Sequence, residues 1–235
     1  MSKIIVIPTY NEKENIVSLI NDIFLLKIPD LKIIVVDDNS PDKTAEAVAQ
    51  AKTIFRDLYL VKRNSKLGLG SAYIAGFKKA MALGADLIIE MDADFSHDHK
   101  DLPRLITACE NGADLAIGSR KIPGGKIIGW NFKRHLMSSG AMLFARILLG
   151  LKTKDITAGF RCFRRQVIKK ININSIKSNG YAFQEELLYR TEKLGFTIKE
   201  IPVTFKDREK GQSKLGKKEI KEFFIIIFKL KFKKI

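Results

Sequence analysis

The stretch Ile33-Ile34-Val35-Val36-Asp37-Asp38-Asn39-Ser40, followed by a helical segment over Asp42–Ile54, decides the fold. Four branched residues in a row, with no polar alternation, read as a strand buried on both faces. The acidic and amide residues that follow end it in a turn. Working outward, the same unit recurs on either side. Ile4–Ile7 is a strand, and Glu12–Leu26 carries apolar residues at Ile16, Leu19, Ile20, Ile23 and Phe24, which is helical spacing. Leu58–Val61 is a third strand with a helix over Leu69–Ala82. Leu87–Met91 is a fourth, with a helix over Asp101–Asn111, and Leu115–Ile117 is a fifth. Strands alternating with helices predict an α/β fold: a mostly parallel, Rossmann-like sheet flanked by helices on both faces. Ligands on such sheets sit beyond the carboxyl ends of the strands.

The rhythm changes after residue 120. Pro123-Gly124-Gly125 marks a loop. Asn131–Leu149 reads as a helix with a broad apolar surface that also carries Lys133, Arg134 and Arg146. Tyr181–Leu194 is another helix and Thr197–Phe205 a strand. The tail from Lys214 reads as a basic amphipathic helix. The expected organisation is one domain over 1–213, with 1–119 as one half and 120–213 as the other, and a basic amphipathic tail over 214–235.

Charge is unevenly placed along the 235 residues, whose net charge is +16. Residues 1–119 hold 14 basic and 17 acidic side chains, whereas 120–170 hold 13 basic and 1 acidic, and 206–235 hold 11 and 4. Two basic blocks of this kind predict a face that meets phosphates, of a nucleic acid or of anionic lipid. The two cysteines, Cys109 and Cys162, form no CxxC pair, which argues against a disulfide framework or a cysteine zinc site and for a reducing compartment. No apolar run reaches the ~18 residues of a spanning helix. The initial Ile4–Ile7 run is too short for a signal peptide.

Two acidic clusters fall where strands end: Asp37-Asp38 after the second, and Asp92-Ala93-Asp94 after the fourth. Residues two apart in an extended chain point to one side, so Asp92 and Asp94 are expected to face one cation unless the chain turns between them. Carboxylate oxygens suit Mg²⁺ or Mn²⁺, which commonly also take substrate phosphates. His97 and His99 lack the further ligands of a transition-metal site, and His97 is expected to order its loop. Gly68-Leu69-Gly70 opens a helix, but the third glycine of a dinucleotide fingerprint is replaced by Tyr73 and the preceding strand is the third, so that function is excluded. No GxxxxGK[ST] loop is present.

Seven segments appear in order: PTYNE at 8–12, VDDNSPDKT at 36–44, DADFSH at 92–97, GSRKIPGG at 118–125, DITAGFRCF at 155–163, FQEEL at 183–187 and IPVTFKDREKGQSK at 201–214. Together they resemble the family 2 inverting glycosyltransferases of GT-A fold, specifically the polyprenyl-phosphate (dolichyl-phosphate) mannose synthases, over roughly residues 3–216. The C-terminal membrane domain of some relatives has no counterpart in this sequence. The resemblance implies a donor, GDP-mannose, contacted by Pro8, Tyr10, Glu12, Val36, Asp38, Asp92, Ala93, Asp94, Arg208 and Lys214. It implies Mg²⁺ or Mn²⁺ held by Asp92, Asp94 and Ser96, and catalytic roles for Asp92, Asp94 and Arg208. Arg120, Arg134 and Ser138 are implied for the phosphate of a polyprenyl phosphate acceptor. The implied setting is peripheral, at the cytoplasmic face of a membrane, with a separate membrane-anchor subunit as a further candidate partner.

Two other readings stand beside this one. The first keeps the lipid acceptor and changes the donor to UDP-glucose or another sugar nucleotide, since DxD selects neither base nor sugar. The second is a nucleic-acid-binding protein, suggested by charge alone. It is opposed by the scarcity of aromatics in the basic block and by acidic strand ends that repel a phosphate backbone.

Overall fold

A computed structural model describes residues 1–176, 178, 180, 182–207 and 217–232, with side chains of the last segment described from residue 223. Among them the main sheet has seven strands. Four come from the first half of the chain: β1 (Lys3–Thr9), β2 (Leu31–Asp37), β3 (Leu58–Lys62) and β4 (Leu87–Glu90). Three come later: β5 (Leu115–Ser119), β7 (Arg161–Arg164) and β8 (Ile198–Pro202). Their order is β3-β2-β1-β4-β7-β5-β8, and β7 alone runs antiparallel, between β4 and β5. A small parallel pair is made by β6 (Lys126–Ile128) and β9 (Thr204–Lys206).

The helices are α1 (Lys13–Leu25), α2 (Thr44–Ala51), α3 (Leu69–Ala82), α4 (Leu102–Glu110), α5 (Phe132–Leu149), α6 (Arg165–Ile171), α7 (Phe183–Lys193) and α8 (Lys217–Phe232). Strand alternation sorts the core into two layers. Ile5, Ile7, Ile33 and Val35 face α1, α2 and α4, and Ile4, Val6, Ile34 and Val36 face α3, α5, α7 and α8. The strands therefore carry unbroken apolar runs because both faces are covered. Helix α3 lies unusually close to the sheet. A Cβ at Gly76 would stand 2.2 Å from Val6 Cγ1, so only glycine fits that contact.

The expected mostly parallel α/β sheet is present, and the later half of the chain adds β7 and β8 to the same sheet. The single strand expected over Thr197–Phe205 is two: β8 stays in the main sheet, and beyond Val203 the chain leaves it as β9 to pair β6. Strands β6 and β7 and helix α6 were not legible. Strand β7 reads Arg-Cys-Phe-Arg, and nothing in that sequence marks Arg161 as fully buried.

The basic block over 120–170 is also divided by the fold. Because β7 is antiparallel, its far end and α6 lie at the opposite edge from the carboxyl ends of the parallel strands. There the Arg164 guanidinium donates to the Cys109 carbonyl (3.0 and 2.7 Å), and Arg165 N–H groups reach the carbonyls of Ala85 and Met81. These arginines hold the fold together and do not face the strand ends.

Candidate active site

The carboxyl ends of β1, β2 and β4 converge, and the loops that follow are tied to each other. After β1 three consecutive backbone N–H groups donate to side chains of the loop after β2: Asn11 to Ser40 Oγ (3.0 Å), Glu12 to Thr44 Oγ1 (3.0 Å) and Lys13 to Asp42 Oδ2 (3.1 Å). These groups open α1 and would otherwise lack partners. Partial burial works to raise the Asp42 carboxyl, but hydrogen bonds from Thr44 and the Lys13 backbone outweigh it and hold the carboxyl below its ordinary value. Asp37 accepts from Thr9 Oγ1 (2.9 Å) and the Ser40 backbone (3.0 Å). Asp38 pairs with Arg63 and also accepts from the backbones of Leu67 and Gly68 (3.0 and 3.2 Å). A cavity of about 310 Å³ opens beside these groups, lined among others by Asp37, Ser40, Glu46, Lys62 and Arg63. Pro8 closes β1 beneath, and the Tyr10 ring carries Lys66 Nζ at 4.0 Å from its centroid. Glu12 accepts from the Asn15 amide (3.0 Å). The Val36 side chain is fully buried against α3, which leaves its backbone to any contact at the strand end.

In the Asp92–Asp94 segment the chain turns, the condition under which strand alternation does not apply. Strand β4 ends at Glu90, and the chain bends through 93–96, with Phe95 at φ +59°. A bulky residue in that region is sterically costly and occurs mainly where the surroundings enforce it. The two-residue alternation of a strand therefore does not set where these carboxylates point. Asp92 Oδ1 accepts from Tyr73 Oη (3.3 Å), and both its oxygens lie within 4 Å of where a Gly159 side chain would begin. Asp94 Oδ1 accepts from the Ser96 backbone (3.1 Å). Asp94 lines a cavity of about 510 Å³ with Asn15, Ser96, His99, Lys206 and Asp207. Ala93 is buried between the two acids, and Ser96 Oγ is buried with no hydrogen-bond partner among the described residues.

His97 orders the loop, as its position in the sequence suggested. Its ring stacks on Phe160 (5.1 Å, 12°), and its Nδ1 accepts from the Asp92 backbone (3.4 Å). Burial lowers its pKa to about 4 despite the nearby Asp94, so the imidazole is neutral with its proton on Nε2.

Arg120 and Arg134 are brought together over one ring, with guanidinium carbons 6.0 and 4.2 Å from the Trp130 centroid. Neither was expected to carry a carboxylate partner, and both do. Arg120 forms a fork on the fully buried Asp155, through Nε (2.7 Å) and Nη2 (2.6 Å), with Thr157 Oγ1 at 2.7 Å from Nη2. Arg134 pairs with Asp207 at the rim of the larger cavity (2.5 Å). Ser138, one turn along α5, is half-buried. Arg208 and Lys214 lie outside the described residues.

Behind Asp92 lies a buried polar group that the sequence did not announce. Glu90 and Arg161 are opposite one another on β4 and β7. Arg161 donates to the carbonyls of Gln184 and Ile156 (2.8 and 2.9 Å), joining the start of α7 to the loop before β7. Burial pushes the carboxyls of Glu90 and Glu185 up to about 8, against the pull of Arg161. The Gln184 side chain adds a hydrogen bond that works against the rise at Glu90. The FQEEL motif was the available signal, since two acids and an amide at a helix start need a polar environment.

Residues 4–172 match the profile described as glycosyl transferase family 2. The chain belongs to that family. It is 42% identical over 220 residues to the polyprenol monophosphomannose synthase of Mycolicibacterium smegmatis, covering 93% of this chain and 83% of that protein. It is also 42% identical over 219 residues to the undecaprenyl-phosphate mannosyltransferase of Micrococcus luteus, covering 92% and 88%. Among solved structures, glucosyl-3-phosphoglycerate synthase of Mycobacterium tuberculosis in complex with UDP superposes with a TM-score of 0.68 at 18% identity, covering 97% of this chain and 79% of that one. The same enzyme with Mn²⁺, UDP and glucosyl-3-phosphoglycerate gives 0.66 at 19%, covering 97% and 77%. Those two likenesses concern the fold. The family 2 glycosyltransferase expected from the seven segments is thus established, and the chain is a glycosyltransferase.

Proposed function

We propose that this glycosyltransferase moves mannose from GDP-mannose to a polyprenyl phosphate, with inversion, giving polyprenyl-phosphate mannose and GDP. Two curated relatives bearing such names at 42% identity support the lipid acceptor and the sugar. The observation that carries the reading is the adjacency of the Asp94-lined cavity to α5. The helix reaches the cavity rim through Arg134–Asp207, and its outer face is apolar and basic.

The residues fit a divalent cation. Asp92 and Asp94 offer hard oxygen donors, and Ser96 Oγ beside them, without a hydrogen-bond partner among the described residues, is a further oxygen. Among the described residues no three His, Cys, Asp or Glu side chains form a cage by themselves, which suits an ion shared with a diphosphate. Mg²⁺ or Mn²⁺ bound there would stabilise the negative charge developing on the leaving diphosphate. Asp38, Pro8, Tyr10 and Glu12 border the nucleotide side of the site. Arg208 and Lys214 are assigned to the diphosphate by resemblance.

The acceptor needs alignment more than activation. A phosphate monoester with a second pKa near ~6 is largely dianionic at pH 7, so no general base is required. His97 fits this, since its Nδ1 is already engaged by the Asp92 backbone. Arg120 and Arg134, gathered at Trp130, are the cations placed to neutralise that phosphate. Asp155 and Asp207 hold their guanidinium planes in place until it arrives. In-line attack on the anomeric carbon inverts it.

The lipid side is supplied by α5 and α8. Each has one face in the core, through Met142, Ala145, Leu149, Ile226, Ile227 and Leu230. Each also exposes apolar side chains, among them Phe132, Leu136 and Ile147 on α5, and Ile225, Phe228 and Phe232 on α8. Phe144 joins the two helices by packing on Phe224 and Phe228 (5.7 and 6.1 Å). Lys133, Lys229 and Lys231 flank this surface. Apolar residues beside cations suit the interface of an anionic bilayer, at its cytoplasmic face. No helix among the described residues is long and apolar enough to cross a membrane. The test is label transfer from a panel of sugar nucleotides to a short polyprenyl phosphate. Lipid-extractable label from GDP-mannose is expected, and label only from UDP-glucose, or none, refutes the donor or the reaction.

A further inference from the structure

Tyr73 stands where a third fingerprint glycine was absent, and the structure gives it a use. It projects from α3, fully buried, with its ring stacked on Phe183 of the FQEEL motif (centroids 5.8 Å apart, 8°) and set against Phe77 (6.0 Å). The stack is close because Gly70, one turn earlier, has no side chain. A Cβ there would meet Phe183 Cβ at 2.9 Å. The only polar atom of the ring, Oη, donates to Asp92 Oδ1 at 3.3 Å. Asp92 follows β4 at the head of a bend, with no regular hydrogen-bonding ladder to fix it. Its backbone N–H is fixed by His97 Nδ1, and its carboxylate is met from the far side by Tyr73. Between them the bare Gly159 leaves room, a Cβ there standing 3.7 Å from Asp92 Oδ2.

We propose that Tyr73 is a positioning residue that selects the rotamer of Asp92 in which its carboxylate serves the cation. This rests on the assignment of Asp92 to a metal–diphosphate site made above. Outer-shell partners of ligating carboxylates act by fixing orientation, and their loss typically weakens metal binding by about 10–100-fold. The 3.3 Å separation places this one at the lower end. The aromatic stack makes the device rigid: Phe183 on α7 and Phe77 on α3 hold the ring, so Oη approaches from one direction only.

Tyr73→Phe deletes the hydroxyl and keeps the stack. Mn²⁺ is titrated into wild type and variant, with GDP or UDP present, and free Mn²⁺ is followed by electron paramagnetic resonance. The variant is expected to bind Mn²⁺ about tenfold more weakly. In turnover assays the Mn²⁺ concentration for half-maximal rate should rise by a similar factor, with a smaller change in the rate at saturating metal. The metal-free variant should melt within about 4 °C of wild type, since only one hydrogen bond is lost. Equal Mn²⁺ affinity in the two proteins overturns the positioning role alone, as does an effect confined to metal-free stability. A wild type that binds no Mn²⁺ under any of these conditions overturns the metal assignment and this inference with it.

Discussion

Neutralising Asp155 tests whether the arginine cluster is built as described. Its side chain is fully buried and its partner Arg120 is 9% exposed. Asp155→Asn keeps the shape and leaves the guanidinium desolvated without its fork. Removing one partner of a buried pair costs about 3–5 kcal/mol. Asp92 also lies in the electrostatic reach of Arg120 and offsets part of that loss, so the lower figure applies. About 3 kcal/mol in a chain of this length corresponds to a fall in Tm of about 6–12 °C, read by differential scanning fluorimetry at pH 7. Burial works to raise the Asp155 carboxyl, but the hydrogen bonds and charge of Arg120 outweigh it and lower its pKa. A depressed carboxyl contributes stability above its unfolded pKa of about 4, and that contribution is lost as pH falls through the folded value. Wild type and variant should therefore differ fully at pH 6–7 and converge toward pH 3. A fall of under about 2 °C at pH 7, or a difference that grows in acid, refutes the pairing.

Three other outcomes follow from the same structure. Gly76→Ala drives a methyl into Val6 at 2.2 Å and should cost about 1–3 kcal/mol, seen as a lower urea midpoint. Glu185 has a raised carboxyl, so its favourable contribution is complete below its unfolded pKa near 4.5 and is lost as pH rises to about 8. Glu185→Gln should leave Tm at pH 5 nearly unchanged and raise it at pH 8.5, where a tenfold change in that ionisation equilibrium is worth about 3–6 °C. Equal shifts at both pH values contradict this. Replacing the exposed Phe132 and Ile147 by Ser should lower partition onto vesicles with about 30% anionic lipid by tenfold or more in a sedimentation assay. Unchanged partition places the membrane surface elsewhere.

The first half of the chain was legible because β1, β2 and β4 carry apolar runs, the last two ending in acids, and buried parallel strands favour such runs. Helix α3, expected over about Leu69 to Ala82, spans Leu69–Ala82. The second half was opaque where charge is buried. Within the basic block over 120–170, which as a whole predicted a phosphate-facing surface, Arg161 lies in the core opposite Glu90, and Arg164 and Arg165 bind carbonyls. At the site, sequence singled out Asp92, Asp94, Arg120 and Arg134. It did not supply what turns them into a site: the Phe95 bend, the Asp155 and Asp207 partners, or the hydroxyl of Tyr73. Those depend on pairings between segments 19 to 73 residues apart, for which local pattern carries no signal.

The central claim is that a donor diphosphate and a cation meet at Asp92 and Asp94. A crystal structure with GDP-mannose and Mn²⁺ tests it directly. The account predicts Mn²⁺ bound by oxygens of Asp92 and Asp94 and by the diphosphate at about 2.0–2.3 Å, with the sugar directed toward Arg120 and Arg134. A diphosphate bound away from the 92–96 loop contradicts it.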